Sequence, residues 1–360
     1  MRKLASVRKI SEIKPIPNAD AIEVALIDGW ECVVRKSEGY KVGDLIVYFE
    51  PDSVLPEKPE FEFLRDKKFR VRVMKLRGQI SSGLVCPLSI LPNKKWKEGD
   101  DVTEAIGVTK YDPELAEENK LIKSDNSKKK YKNPIVKYLM RFKWFRNLVN
   151  KKDFDKTFPY WVKKTDQERL QNMANMFNRE RDEGTLFTGT EKIDGSSATY
   201  TLRRIKKNKF DFAVCSRNLR LEEDDSAYWK IAKRYNMESV LRNLIEDKEF
   251  VTIQGEIYGQ KIQGNKYKLN GIDFRVFNLI YPDRNVPTEE FTEILSEYGI
   301  KSVPIVVKDY KFPETIHDVV EFSKGNSVLL DRRREGIVFR NYEKDISFKV
   351  INPEFLLEEK

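Results

Sequence analysis

A short stretch around Lys192 constrains the fold of this chain more than any other. Residues 190–197 read Thr-Glu-Lys-Ile-Asp-Gly-Ser-Ser and lie between a strand-like run that ends at Phe187 and an alternating run, 198–202. Gly195 permits a tight turn and a close approach of the backbone to a ligand. The pattern therefore predicts a lysine at the edge of a strand that feeds a turn, rather than on a solvated helix face.

A lysine in such a position can act as a nucleophile. Its ammonium group loses a proton more readily where neighbouring cations and partial burial disfavour the charge. The free amine of Lys192 could then attack an electrophile such as the α-phosphate of a nucleotide, with Asp194 close enough to act beside it. The four letters Lys-x-Asp-Gly are a weak signal by themselves, because a surface hairpin with a solvated lysine reads the same way.

Composition limits the classes of protein to which the chain can belong. At 360 residues it is long enough for two domains with substantial cores. No apolar run is long enough to span a bilayer, and the charged amino terminus lacks an apolar secretory segment. We expect an intracellular protein, cytoplasmic (or nuclear in a eukaryote), that acts as a monomer and does not bind membranes.

The cysteines and the single histidine exclude several kinds of chemistry. Cys32, Cys86 and Cys215 lie too far apart for a metal-binding motif and are interpreted as buried free thiols. His317 is the only histidine, which excludes histidine-pair phosphodiesterases and makes a Ser-His-Asp hydrolase hard to build. Catalysis must therefore depend on Lys, Arg, Asp and Glu, together with a metal ion.

Positive charge is concentrated in one segment. The net charge is +9, yet residues 121–152 alone contain nine Lys and two Arg against one Asp. Such a block suits a phosphate backbone, and it is equally typical of a solvated linker. Within the connector at 108–156, residues 134–150 have apolar side chains near a helical period and predict an amphipathic basic helix that packs on a neighbouring domain.

The first domain, predicted at 1–107, is rich in short strands. Runs at 22–27, 31–34, 45–49, 69–73 and 83–86 are separated by Gly, Pro and Asp turns, which favours a small OB-like β-barrel. A β domain with a purely structural role has the same pattern. The basic and aromatic alternation at Lys68, Arg70 and Arg72 favours nucleic-acid binding.

The last domain, predicted at 157–360, alternates strands and helices in an α+β pattern with much antiparallel sheet. We expect a strand at 210–215 that pairs with the strand after Gly195, a helix over 227–245, and strands at 250–254 and 272–280. Polar clusters follow or interrupt its strands in a fixed order after Lys192. They are Ser216-Arg217-Asn218, Gly255-Glu256-Ile257-Tyr258-Gly259, Phe274-Arg275-Val276-Phe277-Asn278, Arg334-Glu335-Gly336 and Ser347-Phe348-Lys349.

In this order the clusters resemble the motifs of the lysine-dependent covalent nucleotidyltransferases, which comprise ATP-dependent ligases and mRNA capping enzymes. Within that superfamily, Glu-Lys-Ile-Asp-Gly is similar to the nick-sealing phage-type RNA ligases. The amino-terminal part and the entry segment 158–169 resemble the Deinococcus-type RNA ligases. The resemblance implies an OB-like domain followed by an adenylyltransferase domain.

The resemblance also implies a role for each matching residue. Lys192 would be the nucleophile, Glu191 the adenine contact and Phe277 the ring that stacks on the base. Arg217 would bind the ribose and 5′-phosphate region and the nucleic acid, and Lys349 would bind the α-phosphate. The implied catalytic residues are Lys192, Glu256, Glu335 and Lys349; the ATP site adds Glu191, Ile193, Asp194, Gly195, Arg217 and Phe277, and the metal ligands are Glu335 and Glu256.

The implied activity is ATP-dependent joining of a 3′-hydroxyl RNA end to a 5′-phosphate end at duplex nicks, through lysyl-AMP and an adenylylated RNA end. The metal would be Mg²⁺ or Mn²⁺. The alternatives are a DNA ligase, an mRNA guanylyltransferase and a non-catalytic nucleic-acid-binding relative. One departure stands out, because Ser347 lies where the family often has a second lysine beside Lys349.

Overall fold

We analysed a computed structural model of the chain, which describes residues 3–92, 95–111 and 154–358. The connector at 108–156, with its predicted helix at 134–150, lies mostly outside these ranges. Within them, no helix is long and apolar enough to cross a membrane.

The first part of the chain, up to Tyr111, is built mainly from short antiparallel strands. Its strands are β1 (Ala5–Lys9), β2 (Glu12–Pro15), β3 (Ile22–Ile27), β4 (Trp30–Arg35), β5 (Leu45–Phe49), β6 (Ser53–Val54), β7 (Val73–Leu76), β8 (Gln79–Ser82), β9 (Leu84–Pro87) and β10 (Thr109–Lys110). Its helical segments are a short helix α1 (Thr103–Ile106) and 3-10 turns at Lys36–Glu38, Pro59–Lys67 and Leu88–Ile90.

These strands form small sheets whose inner faces share apolar cores. The sheet orders are β1-β5-β9 and β2-β3-β4, with the pairs β7-β8 and β6-β10 beside them. Val7, Val47 and Phe49 are fully buried in one core, while Ile27 and Tyr48 are fully buried in the adjacent one. Neighbouring residues of β5 therefore point to opposite faces, as the two-residue period of a strand requires.

One predicted strand of this part is wrong. Residues 69–73 were expected to be extended, but Lys68 and Phe69 have φ angles of 52° and 55°, and β7 begins only at Val73. A 3-10 helix ends at Lys68, and the ring of the next residue, Phe69, is buried. The chain therefore turns at Phe69, where the alternating sequence pattern predicted an extended strand. Arg70 makes an isolated bridge to Val54 instead.

The second part, from Phe154 to Glu358, contains two four-stranded antiparallel sheets. Its strands are β11 (Phe187–Lys192), β12 (Ser196–Lys206), β13 (Lys209–Cys215), β14 (Phe250–Gly259), β15 (Ile272–Ile280), β16 (Ile305–Tyr310), β17 (Gly336–Asn341) and β18 (Ile346–Ile351). One sheet has the order β16-β11-β17-β18 and the other the order β13-β12-β14-β15. The predicted α+β class and the pairing of β13 with the strand after Gly195 are confirmed.

Helices cover one face of each sheet. They are α2 (Ala174–Asp182), α3 (Ala227–Arg234), α4 (Met237–Leu244), α5 (Thr288–Ser296), α6 (Ile316–Ser323) and α7 (Pro353–Leu357), with 3-10 turns at Leu170–Asn172 and Gln263–Asn265. Ala198, Tyr200 and Leu202 of β12 pack with Ile231 and Leu241 of the helices in a continuous core. Burial of each large apolar side chain contributes about 1.5–3 kcal/mol, which is the main force holding helices to sheet.

The predicted single helix over 227–245 is divided in two. Asn236 has a φ of 47°, in the left-handed region, and separates α3 from α4. Asparagine tolerates this conformation better than most residues. The break lets Ile231 and Met237, on successive helices, both reach the core over β12.

The opposite face of β12 is polar and is covered by another segment of the chain. Ser197, Thr199 and Thr201 alternate with the apolar core residues along the strand. Residues 161–165 lie across this face, since Thr165 hydrogen-bonds Ser197 and Trp161 donates to Thr201. The two sheets thus present their polar edges to a common space.

Candidate active site

Lys192 is the last residue of β11, and its side chain meets a carboxylate from the neighbouring strand. β11 pairs with β17 so that Lys192 lies opposite Gly336, which places Glu335 beside it. Lys192 Nζ is 2.7 Å from both Glu335 Oε1 and Oε2. The structure confirms that the lysine is at a strand edge, in an ion pair with a residue 143 positions away in the sequence.

The electrostatic surroundings of Lys192 differ from the expectation. Burial acts to lower the pKa of its ammonium group, but the Glu335 and Glu256 carboxylates outweigh burial and the pKa lies above its ordinary value. The expected neighbouring cations are thus replaced by anions. With these carboxylates beside it the lysine is a protonated ammonium, which must lose its proton before it can act as a nucleophile.

Gly195, between β11 and β12, lies close against β14 behind Lys192. A Cβ atom at this position would lie 2.3 Å from the carbonyl oxygen of Ile257 and 2.9 Å from Cγ of Glu256. β12 can therefore approach β14 closely, with Ser197 directly opposite Glu256. Glu256 lies inside β14 rather than at the strand end that the sequence predicted.

Glu191 is buried next to Lys192 and retains an unpaired acceptor. Its Oε2 accepts a hydrogen bond from the Val328 backbone N–H at 2.8 Å, while Oε1 is buried with no hydrogen-bond partner in the described structure. A buried acceptor without a donor is costly, so such an atom indicates that a ligand donor completes the site.

The predicted residues meet in one cavity of about 520 Å³. All of the residues predicted to bind ATP line it, namely Glu191, Lys192, Ile193, Asp194, Gly195, Arg217, Glu256, Phe277, Glu335 and Lys349. Its apolar wall includes Phe277, Val303 and Ile351. The volume and the mixed lining suit a nucleotide-sized ligand.

Two cations of the cavity share one carboxylate. Lys349 Nζ donates to Asp166 Oδ1 at 3.1 Å, and Arg217 forms an ion pair with Asp166 Oδ2 at 2.9 Å. Desolvation acts to raise the pKa of the Asp166 carboxyl, but Lys349 and Arg217 outweigh it and hold that pKa well below its usual range. Ser347 is exposed and is not part of the cavity lining, so Lys349 serves there without a second lysine from that strand.

The first part of the chain forms one wall of the same cavity. Arg70 and Arg72 both line it, together with Lys110. Arg70 pairs with Asp52 and stacks on the ring of Tyr111, with its guanidinium carbon 3.7 Å from the ring centroid. Lys68, predicted with the two arginines, is exposed and lies away from the cavity lining.

Sequence reasoning missed several residues of the site. Asp166, Lys110 and Lys266 line the cavity, and Lys266 Nζ is 2.7 Å from Asp194 Oδ2. Tyr267 contributes its hydroxyl, which accepts a hydrogen bond from the Asp194 backbone N–H at 3.0 Å. Asp166 lies in the entry segment 158–169, for which no site role is predicted, and the other three lie in no recognisable motif. Their long-range contacts reveal them.

The carboxylates fit a divalent cation only in part. Within the described ranges, His, Cys, Asp and Glu side chains form no group of three or more that could hold a metal ion by themselves. Glu335 and Glu256, the two predicted ligands, both act on Lys192 and line the cavity. A site with so few carboxylates suits Mg²⁺ or Mn²⁺ that takes its remaining ligands from phosphate oxygens and water.

Comparison with known proteins agrees with this arrangement. A family model described as RNA ligase matches residues 185–351, and a model of an OB-fold domain matches residues 4–88. The second match confirms the predicted OB-like domain. No curated protein sequence matches the chain at a significant level.

Several solved structures of one protein, the RNA ligase of Naegleria gruberi, are similar over nearly the whole chain. An apo mutant structure is 33% identical with a TM-score of 0.76, covering 99% of this chain and 97% of that one. A mutant with ATP and Mn is 32% identical with a TM-score of 0.75 over 99% and 98%. A structure with pyrophosphate is 33% identical with a TM-score of 0.75 over 99% and 98%.

Proposed function

The chain belongs to the RNA ligase family and is an ATP-dependent RNA ligase, and from this premise we propose that it seals nicks in RNA-containing duplexes. In this proposal it joins a 3′-hydroxyl end to a 5′-phosphate end through a lysyl-AMP and an adenylylated 5′ end. The observation that carries the proposal is the position of Lys192, 2.7 Å from Glu335 in a cavity that Glu191 and Phe277 also line. The Naegleria gruberi ligase structures with ATP, Mn and pyrophosphate support an ATP reaction of the same kind.

Lys192 is the proposed nucleophile of the first step. Its Nζ must give up the proton that it shares with Glu335, after which the lone pair forms a bond to the α-phosphorus of ATP. The bond from that phosphorus to the bridging oxygen of the β-phosphate breaks, and pyrophosphate leaves. A divalent cation beside Glu335 and Glu256, when bound, would supply positive charge that lowers the pKa of the amine and stabilises charge on the transferring phosphate.

Glu191 and Phe277 are proposed to select the base. The free Oε1 of Glu191 can accept the 6-amino N–H of adenine, a donor that guanine lacks because it has a carbonyl group at that position. Phe277 is half-buried in the cavity wall, where its ring can stack on a purine. Together they account for a preference for ATP over GTP.

Arg217 and Lys349 are proposed to hold the phosphates. Both contact Asp166, so they converge on a negatively charged group. A phosphate can take the place of that carboxylate because its oxygens accept the same hydrogen bonds. In this account the lone Lys349 holds the α-phosphate and Arg217 holds the RNA 5′-phosphate.

The second and third steps use the same cavity. An oxygen of the RNA 5′-phosphate attacks the adenylate phosphorus, and the bond from that phosphorus to Lys192 Nζ breaks. The 3′-hydroxyl oxygen of the other strand then attacks the 5′-phosphorus, forms the phosphodiester and expels AMP. These displacements require in-line geometry, which the converging side chains provide.

The OB-fold domain is proposed to contribute cations to the phosphate side of the cavity. Arg70 and Arg72 reach the cavity from this domain, and Lys110 reaches it from the start of the connector; all three can attract the triphosphate or the RNA backbone. We keep the division into an OB-fold domain at 1–107, a basic connector at 108–156 and a nucleotidyltransferase domain at 157–360 as part of this proposal.

A labelling and sealing assay tests the proposal. The protein, incubated with α-labelled ATP and Mn²⁺, should carry the label through denaturing electrophoresis, and it should not with labelled GTP. It should then join a nicked duplex with RNA at the 3′-hydroxyl side. Labelling by GTP would indicate a guanylyltransferase, and equal sealing of all-DNA nicks would indicate a DNA ligase.

A further inference from the structure

An exposed group of aromatic and cationic side chains lies outside the cavity on the nucleotidyltransferase domain. It comprises Phe158, Tyr160, Trp161, Lys163, Lys164 and Arg203, and we call it the aromatic ledge. Tyr160 is 80% exposed, the largest exposure among the large apolar and aromatic side chains of the described ranges. The Lys163 side chain is 90% exposed. Nothing in the site chemistry above uses these residues.

The ledge is rigidly placed even though it is exposed. Arg203 contacts two rings, with its guanidinium carbon 5.1 Å from the centroid of Tyr160 and 4.9 Å from that of Trp161. The two rings meet edge to face at 5.1 Å. Arg203 also donates to Glu249 at 2.9 Å, which fixes the guanidinium from the other side.

The ledge is aligned with the cavity by the polar face of β12. Residues 160–165 run antiparallel to β12, from Arg203 beside Tyr160, through Thr201 beside Trp161, to Ser197 beside Thr165. Gln254 of the adjacent strand adds a hydrogen bond to the Lys163 carbonyl oxygen at 2.8 Å. Ser197 and Thr165 line the cavity, so a single straight path joins Tyr160 to the site of Lys192.

Resting on the function proposed above, we propose that the aromatic ledge binds the RNA strand that carries the 5′-phosphate, beyond the nick. Lys164 Nζ lies 3.4 Å from Asn218 Oδ1, directly next to Arg217, which links the ledge to the residue assigned to the 5′-phosphate. Lys163 and Lys164 contact the sugar–phosphate backbone by charge, and the Tyr160 ring packs against a nucleoside. Exposed rings interleaved with cations are the arrangement that RNA-binding surfaces use.

Packing alone does not explain Tyr160. A ring that is 80% exposed buries little apolar area, so its removal should cost little stability. Trp161, by contrast, is anchored by its hydrogen bond to Thr201 at 3.2 Å and can hold the segment in place without Tyr160.

The distance from the aromatic ledge to the cavity determines how long the 5′-phosphate strand must be to reach the ledge. Ser197 and Arg203 are six residues apart on one strand, which corresponds to about 20 Å at a rise of ~3.3 Å per residue. At ~3.4 Å per nucleotide, the spacing in duplex DNA, about six nucleotides cover this distance. A 5′-phosphate strand shorter than this cannot reach Tyr160.

Tyr160→Ala is the test, with sealing of a preadenylylated nicked RNA duplex as the readout. We expect the KM for the nick to rise about fivefold or more, because the stacking contact is lost. The sealing rate at saturating nick concentration and the rate of self-adenylylation with ATP should both stay unchanged. Tyr160→Phe, which keeps the ring, should behave like the wild type. Phe63→Ala, which removes a 61% exposed ring from the OB-fold domain, is the matched control and should also be silent.

Strand length gives the decisive comparison. The defect of Tyr160→Ala should appear with a 12-nucleotide 5′-phosphate strand and vanish with one of about four nucleotides, whatever the length of the 3′-hydroxyl strand. An unchanged KM in the variant, or a defect that follows the 3′-hydroxyl strand instead, overturns the proposal. If the wild-type protein forms no lysyl-AMP at all, the proposed function fails rather than this inference.

A second variant tests the cationic part of the ledge. Lys163→Ala combined with Lys164→Ala should reduce the slope of log KM against log salt by about one to two, because each lost phosphate contact removes nearly one unit. An unchanged slope would contradict backbone contact by the ledge.

Discussion

Glu50 of the OB-fold domain and Arg169 of the nucleotidyltransferase domain are both almost completely buried, and their side chains meet at 3.7 Å. Arg169 also lies 5.2 Å from the ring centroid of Trp30, and Glu50 accepts a hydrogen bond from Asn172. Next to Arg169, the Glu168 carbonyl oxygen accepts the backbone N–H of Lys349 at 2.9 Å. The contact between the domains is therefore joined directly to a cation of the active site.

Glu50→Ala tests whether this contact holds the domains together. Loss of a carboxylate that faces a buried guanidinium is expected to lower the free energy of unfolding by about 3–5 kcal/mol. Glu62→Ala removes an exposed carboxylate paired with Arg65 and should leave the stability nearly unchanged, because exposed ion pairs contribute little. Thermal unfolding of the two variants makes the comparison, and an equal effect would show that the Glu50–Arg169 contact is dispensable.

Glu335→Gln should lower the pKa of Lys192. Burial favours the neutral amine, and the Glu335 carboxylate is the largest influence that opposes it. Without that charge the ammonium should lose its proton at lower pH. Carbon-13 NMR of reductively methylated protein measures this pKa in the metal-free state, with Lys206, an exposed lysine of a hairpin, as the internal reference. If the pKa of Lys192 is the same in the variant as in the wild type, the Glu335 carboxylate does not raise it.

Asp166→Asn should change stability in a way that depends on pH. The pKa of Asp166 is below its ordinary value, so its contribution to stability is complete above the unfolded-state pKa near 3.8 and is lost as the pH falls toward the folded-state pKa. The difference in Tm between wild type and variant should therefore be constant from pH 5 to 8 and shrink below about pH 4. A difference that instead grows toward low pH would contradict the assigned ion pairs.

The prediction of fold from sequence succeeded where apolar runs are bounded by turn residues. Such runs located β3 and β5, which are buried along most of their length, and an alternating pattern located β15, whose buried residues are separated by half-buried ones. It failed at Phe69, whose burial in a turn mimics the strand pattern, and at Asn236, where a left-handed residue divides a helix without breaking its apolar period.

The site was predictable only where its residues lie in sequence motifs. Lys192 and Glu335 carry strand-edge motifs whose order in the chain indicates a common cavity. Asp166 reaches the same cavity from the entry segment 158–169, for which no site role is predicted, and Lys110 reaches it from a segment without a motif. Only tertiary contacts bring them there. The raised pKa of Lys192 could not be predicted either, because it depends on which charged neighbours the fold places beside it.

Glu191→Gln tests base selection. The substitution replaces one carboxylate oxygen with an amide NH₂ group. Where this NH₂ group faces the base, it is a donor and cannot accept the 6-amino proton of adenine. Self-adenylylation with ATP should fall about tenfold or more, and the ratio of ATP to GTP labelling should fall with it. The measurement is initial labelling rate with each nucleotide, and an unchanged ratio would remove Glu191 from base recognition.

Lys192 is expected to carry AMP covalently during the reaction. The protein is incubated with ATP and Mn²⁺, digested and analysed by mass spectrometry. The peptide that contains Lys192 should carry one added AMP. Lys192→Ala should yield no adduct, and Lys206→Ala should be labelled like the wild type. Addition of a nicked RNA duplex should discharge the adduct. An adduct on another residue, or one that persists in Lys192→Ala, would contradict the account.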